Sequence, residues 1–205
     1  MRQPRIPQSL KNLDIQNISD DELFNLIAKT LEPRFEINNN NKEVYRQLQF
    51  YFANDQQFNG DLSKGLLLVG GYGTGKTLAF EIFDIFNMMV KTRRTFYFFD
   101  SDEIIDSFTK NGRSSIEQYN REHDIAIDDL GEDSGKHYHF GSVEDPIDVL
   151  LSRRYKMLKD FHYRTFTTSN LDLAMMEQRF SGKVFDRMFE MFNTMSLVGN
   201  SWRRR

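Results

Sequence analysis

Apolar positions along this chain follow two rhythms. Short, nearly continuous apolar runs lie at residues 66–69 (LLLV), 95–99 (TFYFF), 124–130 (DIAIDDL), 164–170 (RTFTTSN) and 194–200 (TMSLVGN). Runs of this length without alternation predict strands buried on both faces. Between them, apolar residues recur at helical spacing. A helix is expected to begin at a cap on Ser19 or Asp20, to carry Leu23, Phe24, Leu26, Ile27 and Leu31 on one face, and to end at Pro33. Further helices are expected over 43–54, 76–91, from Ser101 or Asp102 through Phe108, over 146–161 with Pro146 at a first helical position, and over 171–180 and 183–192. Strands alternating with helices imply a parallel sheet covered on both faces, a three-layer α/β fold with five parallel strands. Residues 1–17, with Pro4 and Pro7 and little periodicity, predict a loosely held arm. The run 38–42 (NNNNK) predicts a linker, and 131–141 (GEDSGKHYHFG) holds too many turn residues for regular structure. The expected division is an accessory front part, residues 1–60, and a core, residues 61–205.

Composition narrows the setting. With 205 residues the chain is long enough to bury one full core. A net charge of −3 excludes a protein coated in positive charge, so nucleic-acid contact would have to come from local clusters. The absence of cysteine excludes disulfides and thiolate metal sites, and no apolar run approaches membrane-spanning length, so a cytoplasmic setting is expected.

The candidate chemistry starts where the first strand ends. Residues 70–77 read GGYGTGKT, and Gly70, Gly75, Lys76 and Thr77 fit G-x-x-x-x-G-K-[ST]. In that pattern backbone N–H groups wrap phosphates, the lysine reaches the outer phosphates and the hydroxyl ligates magnesium. Gly71, Tyr72, Gly73, Thr74 and Leu78 complete the expected binding loop for a nucleoside triphosphate and Mg2+. Ligands of open parallel sheets gather at the carboxyl ends of strands. There the third run ends in Asp128 and Asp129, and the fourth in Thr168, Ser169 and Asn170. Asp128 is placed to hold the metal opposite Thr77, Asp129 to orient or deprotonate an attacking water, and Asn170 to hold that water or the terminal phosphate.

These segments, GGYGTGKT, IAIDDLG, TFTTSN and RFSGKVFDRMFEMFNTMSLVGNSWR, together resemble AAA+ ATPases of the bacterial helicase-loader type, related to transposition helper ATPases, over about residues 61–203. The resemblance implies Lys76 and Thr77 as the Walker A pair, Asp128 and Asp129 as the Walker B pair and Asn170 as sensor 1. It implies Arg187, in VFDRM, as an arginine finger acting in a neighbouring subunit's site, with Arg179 the alternative. Arg203 falls in the family-like ending GNSWR without an assigned role. The implied partners are ATP, a replicative helicase or a transposase, single-stranded or duplex DNA, and further copies of the chain. The sequence departs from many AAA+ proteins in having almost nothing after the fifth strand from which to build a helical lid, so closure over nucleotide is expected to depend on a neighbouring molecule. Rival readings are a transposition helper, a non-catalytic ATP-binding module and a small-molecule kinase.

Other features carry less. His137 and His139 are read as structural or solvent-facing rather than as metal ligands. Methionines 175, 176, 188, 191 and 195 are read as core, with an adaptable partner surface as the alternative. Arg153, Arg154, Lys156 and Lys159, and Lys110 with Arg113, form either a solvated face or, with Tyr155 and Tyr119, a single-strand nucleic-acid surface. Arg203, Arg204 and Arg205 are expected to be a frayed charged tail.

Overall fold

A computed structural model describes residues 5–91, 95–199 and 201. Arg203, Arg204 and Arg205 lie outside the described residues.

Helix α1 (Asp20–Leu31) opens with a capping box: the Ser19 hydroxyl accepts from the Glu22 N–H, and the Glu22 carboxylate accepts from the Ser19 N–H at 3.0 Å. Helix α2 (Lys42–Ala53) follows a turn in which the Asn41 side chain, buried, ties the Asn38 N–H and the Glu36 carbonyl. The polar run 38–42 is thus an ordered corner. Strand β1 (Gly65–Val69) leads into α3 (Lys76–Val90), then β2 (Tyr97–Asp100), α4 (Ser101–Asn111) and β3 (Ile125–Asp128). A two-stranded antiparallel hairpin, β4 (His137–His139) and β5 (Ser142–Glu144), stands outside the main sheet. Helix α5 (Pro146–Phe161), strand β6 (Thr165–Ser169), helices α6 (Leu173–Arg179) and α7 (Gly182–Met191), and strand β7 (Phe192–Ser196) complete the order.

The main sheet has five strands in the order β2-β3-β6-β1-β7, all parallel. The chain leaves β1 for the far edge, returns through β3 to β6, and crosses to β7. The carboxyl end of β1 therefore sits beside that of β6, with β3 one strand further, where such folds bind ligands.

The alternation of a pleated strand sorts the core into two layers. Leu66, Leu68, Phe98 and Phe166 face α1, α2 and α3, while Leu67, Phe99, Ile125 and Ile127 face α4, α5, α6 and α7. The first layer accounts for much of the phenylalanine content. Phe52 stacks on Phe83 with ring centroids 4.8 Å apart, and Phe96 meets Phe166 at 4.8 Å. Leu23, Phe24, Ile27, Tyr45, Leu48 and Tyr51 of the first two helices belong to this same buried cluster.

At the amino ends of the strands a buried polar clamp holds β3 to β6. Arg154, fully buried, donates to the carbonyls of Arg121, His123 and Arg164 and to the Thr165 hydroxyl at 2.6–3.1 Å. Asp124 accepts from the Arg164 N–H and guanidinium beside it. Arg164 in turn lies 5.4 Å from the Tyr51 ring.

Several expectations change. Residues 131–141 are not wholly irregular: β4 begins at His137, because Tyr138–Val143 and its flanking pairs form a ladder around a turn at Phe140 and Gly141, both at positive φ. The last strand runs over 192–196 rather than 194–200, since Phe192 ends α7 in an extended conformation and pairs at once with Gly65. The arm contains two short 3-10 turns, 8–10 and 15–17, the first burying Leu10. Arg154 belongs to neither a solvated nor a nucleic-acid face, and Tyr119 is buried edge-on against Phe99. Of the methionines, 176, 188 and 191 are core and Met175 is half exposed.

Candidate functional site

The loop between β1 and α3 is shaped by conformations that only glycine adopts cheaply. Gly73 has φ +75°, and a Cβ there would meet the Ser201 hydroxyl at 2.2 Å; at Gly70, φ +157°, it would meet the Leu197 carbonyl oxygen at 2.3 Å. The loop therefore lies close against the segment that follows β7. Helix α3 starts at Lys76, so its first unpaired N–H groups and the positive end of its dipole face the loop.

Lys76 is buried, and its ammonium donates to the carbonyls of Gly70 at 2.9 Å and Gly71 at 3.1 Å and to Asn170 Oδ1 at 2.6 Å. Thr77, one residue on, donates from Oγ1 to Asp128 Oδ1 at 2.9 Å. Asp128 also accepts from Thr168 Oγ1 at 2.5 Å, so the β6 hydroxyl fixes the β3 carboxylate across the strand pair. Asp129 sits in the left-handed region at φ +53°, held by its N–H donating to Thr168 Oγ1 and its carbonyl accepting from Ser101 Oγ, each at 2.9 Å. Partial burial, and then the charges of Asp128 and Glu132, push its carboxyl up to about 6. Lys76, Thr77, Asp128, Asp129 and Asn170 line one open cleft of about 600 Å3, with Gly73, Gly75, Tyr72 and Leu78 on its loop side and Leu31 and Glu32 from the end of α1.

The residues present fit a magnesium nucleotide. The cleft has the volume of an ordinary ligand site. One hydroxyl and one carboxylate within hydrogen-bond distance make a pair of hard oxygen ligands, and among the described residues no group of three or more His or acidic side chains is arranged to hold a metal by itself. The hydroxyl–carboxylate pair suits a cation that keeps waters and takes its remaining ligands from phosphate.

Two further residues belong here that sequence reasoning left unassigned. Glu132 reaches back from the turn after β3, and its carboxylate accepts from Asn170 Nδ2. Thr168 orders both aspartates. The signal for Glu132 was its place three residues after Asp129, obscured by the apparent irregularity of the segment.

The two candidate finger arginines differ sharply. Arg179 is 8% exposed and donates to Asp133 Oδ1 at 2.6 Å, to the Asp133 carbonyl at 3.0 Å and to Asp145 Oδ2 at 2.5 Å. Burial opposes its charge, but the two carboxylates outweigh burial and raise its affinity for the proton. It is committed to its own chain. Arg187 lies on α7 outside the cleft, its guanidinium 4.5 Å from the centre of the Tyr155 ring. His137 pairs with Asp133 at 2.7 Å and His139 with the Thr109 carbonyl at 3.0 Å, so the two histidines serve separate partners.

No family model and no curated protein matches the sequence. Solved structures do match the fold. Over 84% of this chain and 89% of the other, the structure resembles DnaI, with a TM-score of 0.60 at 19% identity. Over 82% and 96% it resembles the DnaC helicase loader, with a TM-score of 0.54 at 23% identity. AMPPCP-bound DnaA from Aquifex aeolicus matches over 82% of this chain and 50% of its own, with a TM-score of 0.59 at 16% identity. What these share with the present chain is the fold: a three-layer core with a parallel sheet flanked by helices.

Proposed function

We propose that this chain is a magnesium-dependent ATPase of the AAA+ type that acts as an assembly switch in DNA replication, in the manner of a helicase loader. The observation that carries this reading is the convergence, across three strands, of Lys76 on Asn170 and Thr77 on Asp128. A glycine loop alone would bind phosphate; a loop backed by an ordered acidic pair and an amide can also act on it. The fold resemblance to the DnaC helicase loader supports the choice of process.

In this reading the α3 N-terminus and the loop N–H groups bind the phosphates, and Lys76 turns from the loop carbonyls to the outer phosphates. Thr77 and Asp128 hold magnesium, which when bound supplies charge neutralisation at the phosphates. Asp129 orients the attacking water and takes its proton. Asn170 holds the terminal phosphate or that water. Leu31, Tyr72 and Leu78 offer an apolar wall to the base. Arg187 acts in a neighbouring subunit's site, where its planar, permanent charge offsets charge developing on the transferred group.

The test is ATP turnover measured against protein concentration, with and without single-stranded DNA, beside affinity capture on a slowly hydrolysed ATP analogue. Turnover that rises with concentration, and recovery of a hexameric helicase, is the expected result. Recovery of a transposase instead redirects the process to transposition, nucleotide binding without turnover at any concentration makes the chain a non-catalytic module, and phosphate transfer to a small acceptor makes it a kinase.

A further inference from the structure

Between Lys76 and the hairpin runs a series of polar contacts, joined at one point by the backbone, whose members Glu132, Asp133 and His137 have no part in the hydrolysis proposed above. The Asn170 amide is held at both ends, Oδ1 by the Lys76 ammonium and Nδ2 by the Glu132 carboxylate. Only this orientation of the amide suits both neighbours, because an ammonium can only donate and a carboxylate can only accept. The next residue, Asp133, takes the Arg179 guanidinium at 2.6 Å, the His137 imidazole at 2.7 Å and the Gly135 N–H at 2.7 Å. His137 is the first residue of β4, and the hairpin it opens carries Tyr138 and Phe140, 68% and 96% exposed. Backbone continuity through 132–133 thus joins the phosphate end of the cleft to a projecting aromatic tip.

We infer that Glu132 is a positioning residue: acting through Asn170, it latches the terminal-phosphate end of the cleft and reports triphosphate, as opposed to diphosphate, to the β4–β5 hairpin. The inference rests on the ATP-site reading above. A terminal phosphate competes for the two donors that now define the latch, the Lys76 ammonium and the Asn170 amide N–H. Glu132 then loses its donor and faces a like charge, and Glu132 is exposed, so it is free to swing outward. Asp133 follows Glu132 directly in the chain and is bonded to His137, the first residue of β4, so a displacement of the backbone at 132–133 reaches the base of the hairpin. A diphosphate leaves the terminal position to Asn170 and Glu132, and the latch stays shut. Glu132 therefore disfavours triphosphate relative to diphosphate.

The test uses the full chain, fluorescent ADP and a slowly hydrolysed ATP analogue with magnesium, and Glu132→Gln, which keeps an acceptor for Asn170 and removes the charge. Removing one unit charge a few ångströms from phosphate in a half-open cleft should tighten analogue binding about tenfold. ADP affinity should stay within about twofold, and Lys136→Gln, an exposed charge nearby outside the latch, should leave both affinities unchanged. Backbone hydrogen exchange over residues 133–144 should be faster with the analogue than with ADP in the wild type, and that contrast should fall by at least half in the variant. Equal changes in both affinities, or no contrast in wild-type exchange, overturns the latch. Failure of the wild type to bind either nucleotide overturns instead the ATP-site reading on which it stands.

Discussion

Asp84 offers a direct test of the energetics of burial along α3. It lies two turns into α3, 1% exposed among the phenylalanines of the first core layer, and its Oδ1 accepts one backbone N–H, that of Phe96, at 3.0 Å. Burial outweighs this hydrogen bond and raises its carboxyl to about 7. In the unfolded chain the group titrates at about 3.9. The folded protein therefore binds this proton more tightly than the unfolded chain, and stability declines as pH rises from about 4 to about 7. Each unit of difference is about 1.4 kcal/mol, so the charged form costs the fold roughly 4 kcal/mol at pH 8 and roughly 1.5 kcal/mol at pH 5. Asp84→Asn keeps an acceptor for Phe96 and cannot ionise. Urea unfolding of both proteins at pH 5 and pH 8 removes every other titrating group from the comparison. Relative to wild type, the variant should gain roughly 3 kcal/mol on going from pH 5 to pH 8. A difference between the two proteins that is the same at both pH values would show that Asp84 is not a desolvated acid in the native state, and the reasoning would fail.

Other outcomes follow from the proposed function and from the packing of the chain. Lys76→Ala should abolish nucleotide binding, read by equilibrium titration with a fluorescent analogue, while leaving the circular dichroism spectrum unchanged. Arg187→Ala should lower assembled turnover by about 10³ or more without changing nucleotide affinity; mixing it with Lys76→Ala subunits should restore part of the turnover, and a mixture as inactive as either parent contradicts a finger acting between subunits. Arg154→Lys cannot reach the four acceptors that the guanidinium spans, and should lower unfolding free energy by about 3 kcal/mol in urea, although the cleft lies at the other end of the sheet. Thr168→Val should weaken magnesium-dependent binding more than magnesium-free binding in parallel titrations, because Asp128 loses its second hydroxyl donor while Thr77 keeps the first.

What the chain shows without a structure is what local rules encode. An apolar run before GGYGTGKT predicts a strand entering a glycine loop of the phosphate-binding pattern, and Asp128, Asp129 and Asn170 stand out because they follow that loop in order at the ends of further apolar runs. The parallel, two-faced sheet follows from the same runs. The partners that tertiary folding brings together are another matter. Arg154 reads as one cation in the basic helical stretch from Arg153 to Lys159, and only the convergence of three carbonyls from two other segments draws it inside. In sequence Arg187 is the implied finger and Arg179 the alternative; two carboxylates from the turn after β3 and the cap of α5 remove the alternative. Glu132 is a polar residue in a turn until β6 brings Asn170 beside it. The loop, the polar ends of the third and fourth strands and the parallel sheet covered on both faces were thus determined by periodicity and residue chemistry along the chain, whereas the burial of Arg154, the commitment of Arg179 and the reach of Glu132 were decided by contacts across more than thirty residues of sequence, where a carboxylate or guanidinium takes whatever role its desolvation and nearest donor impose.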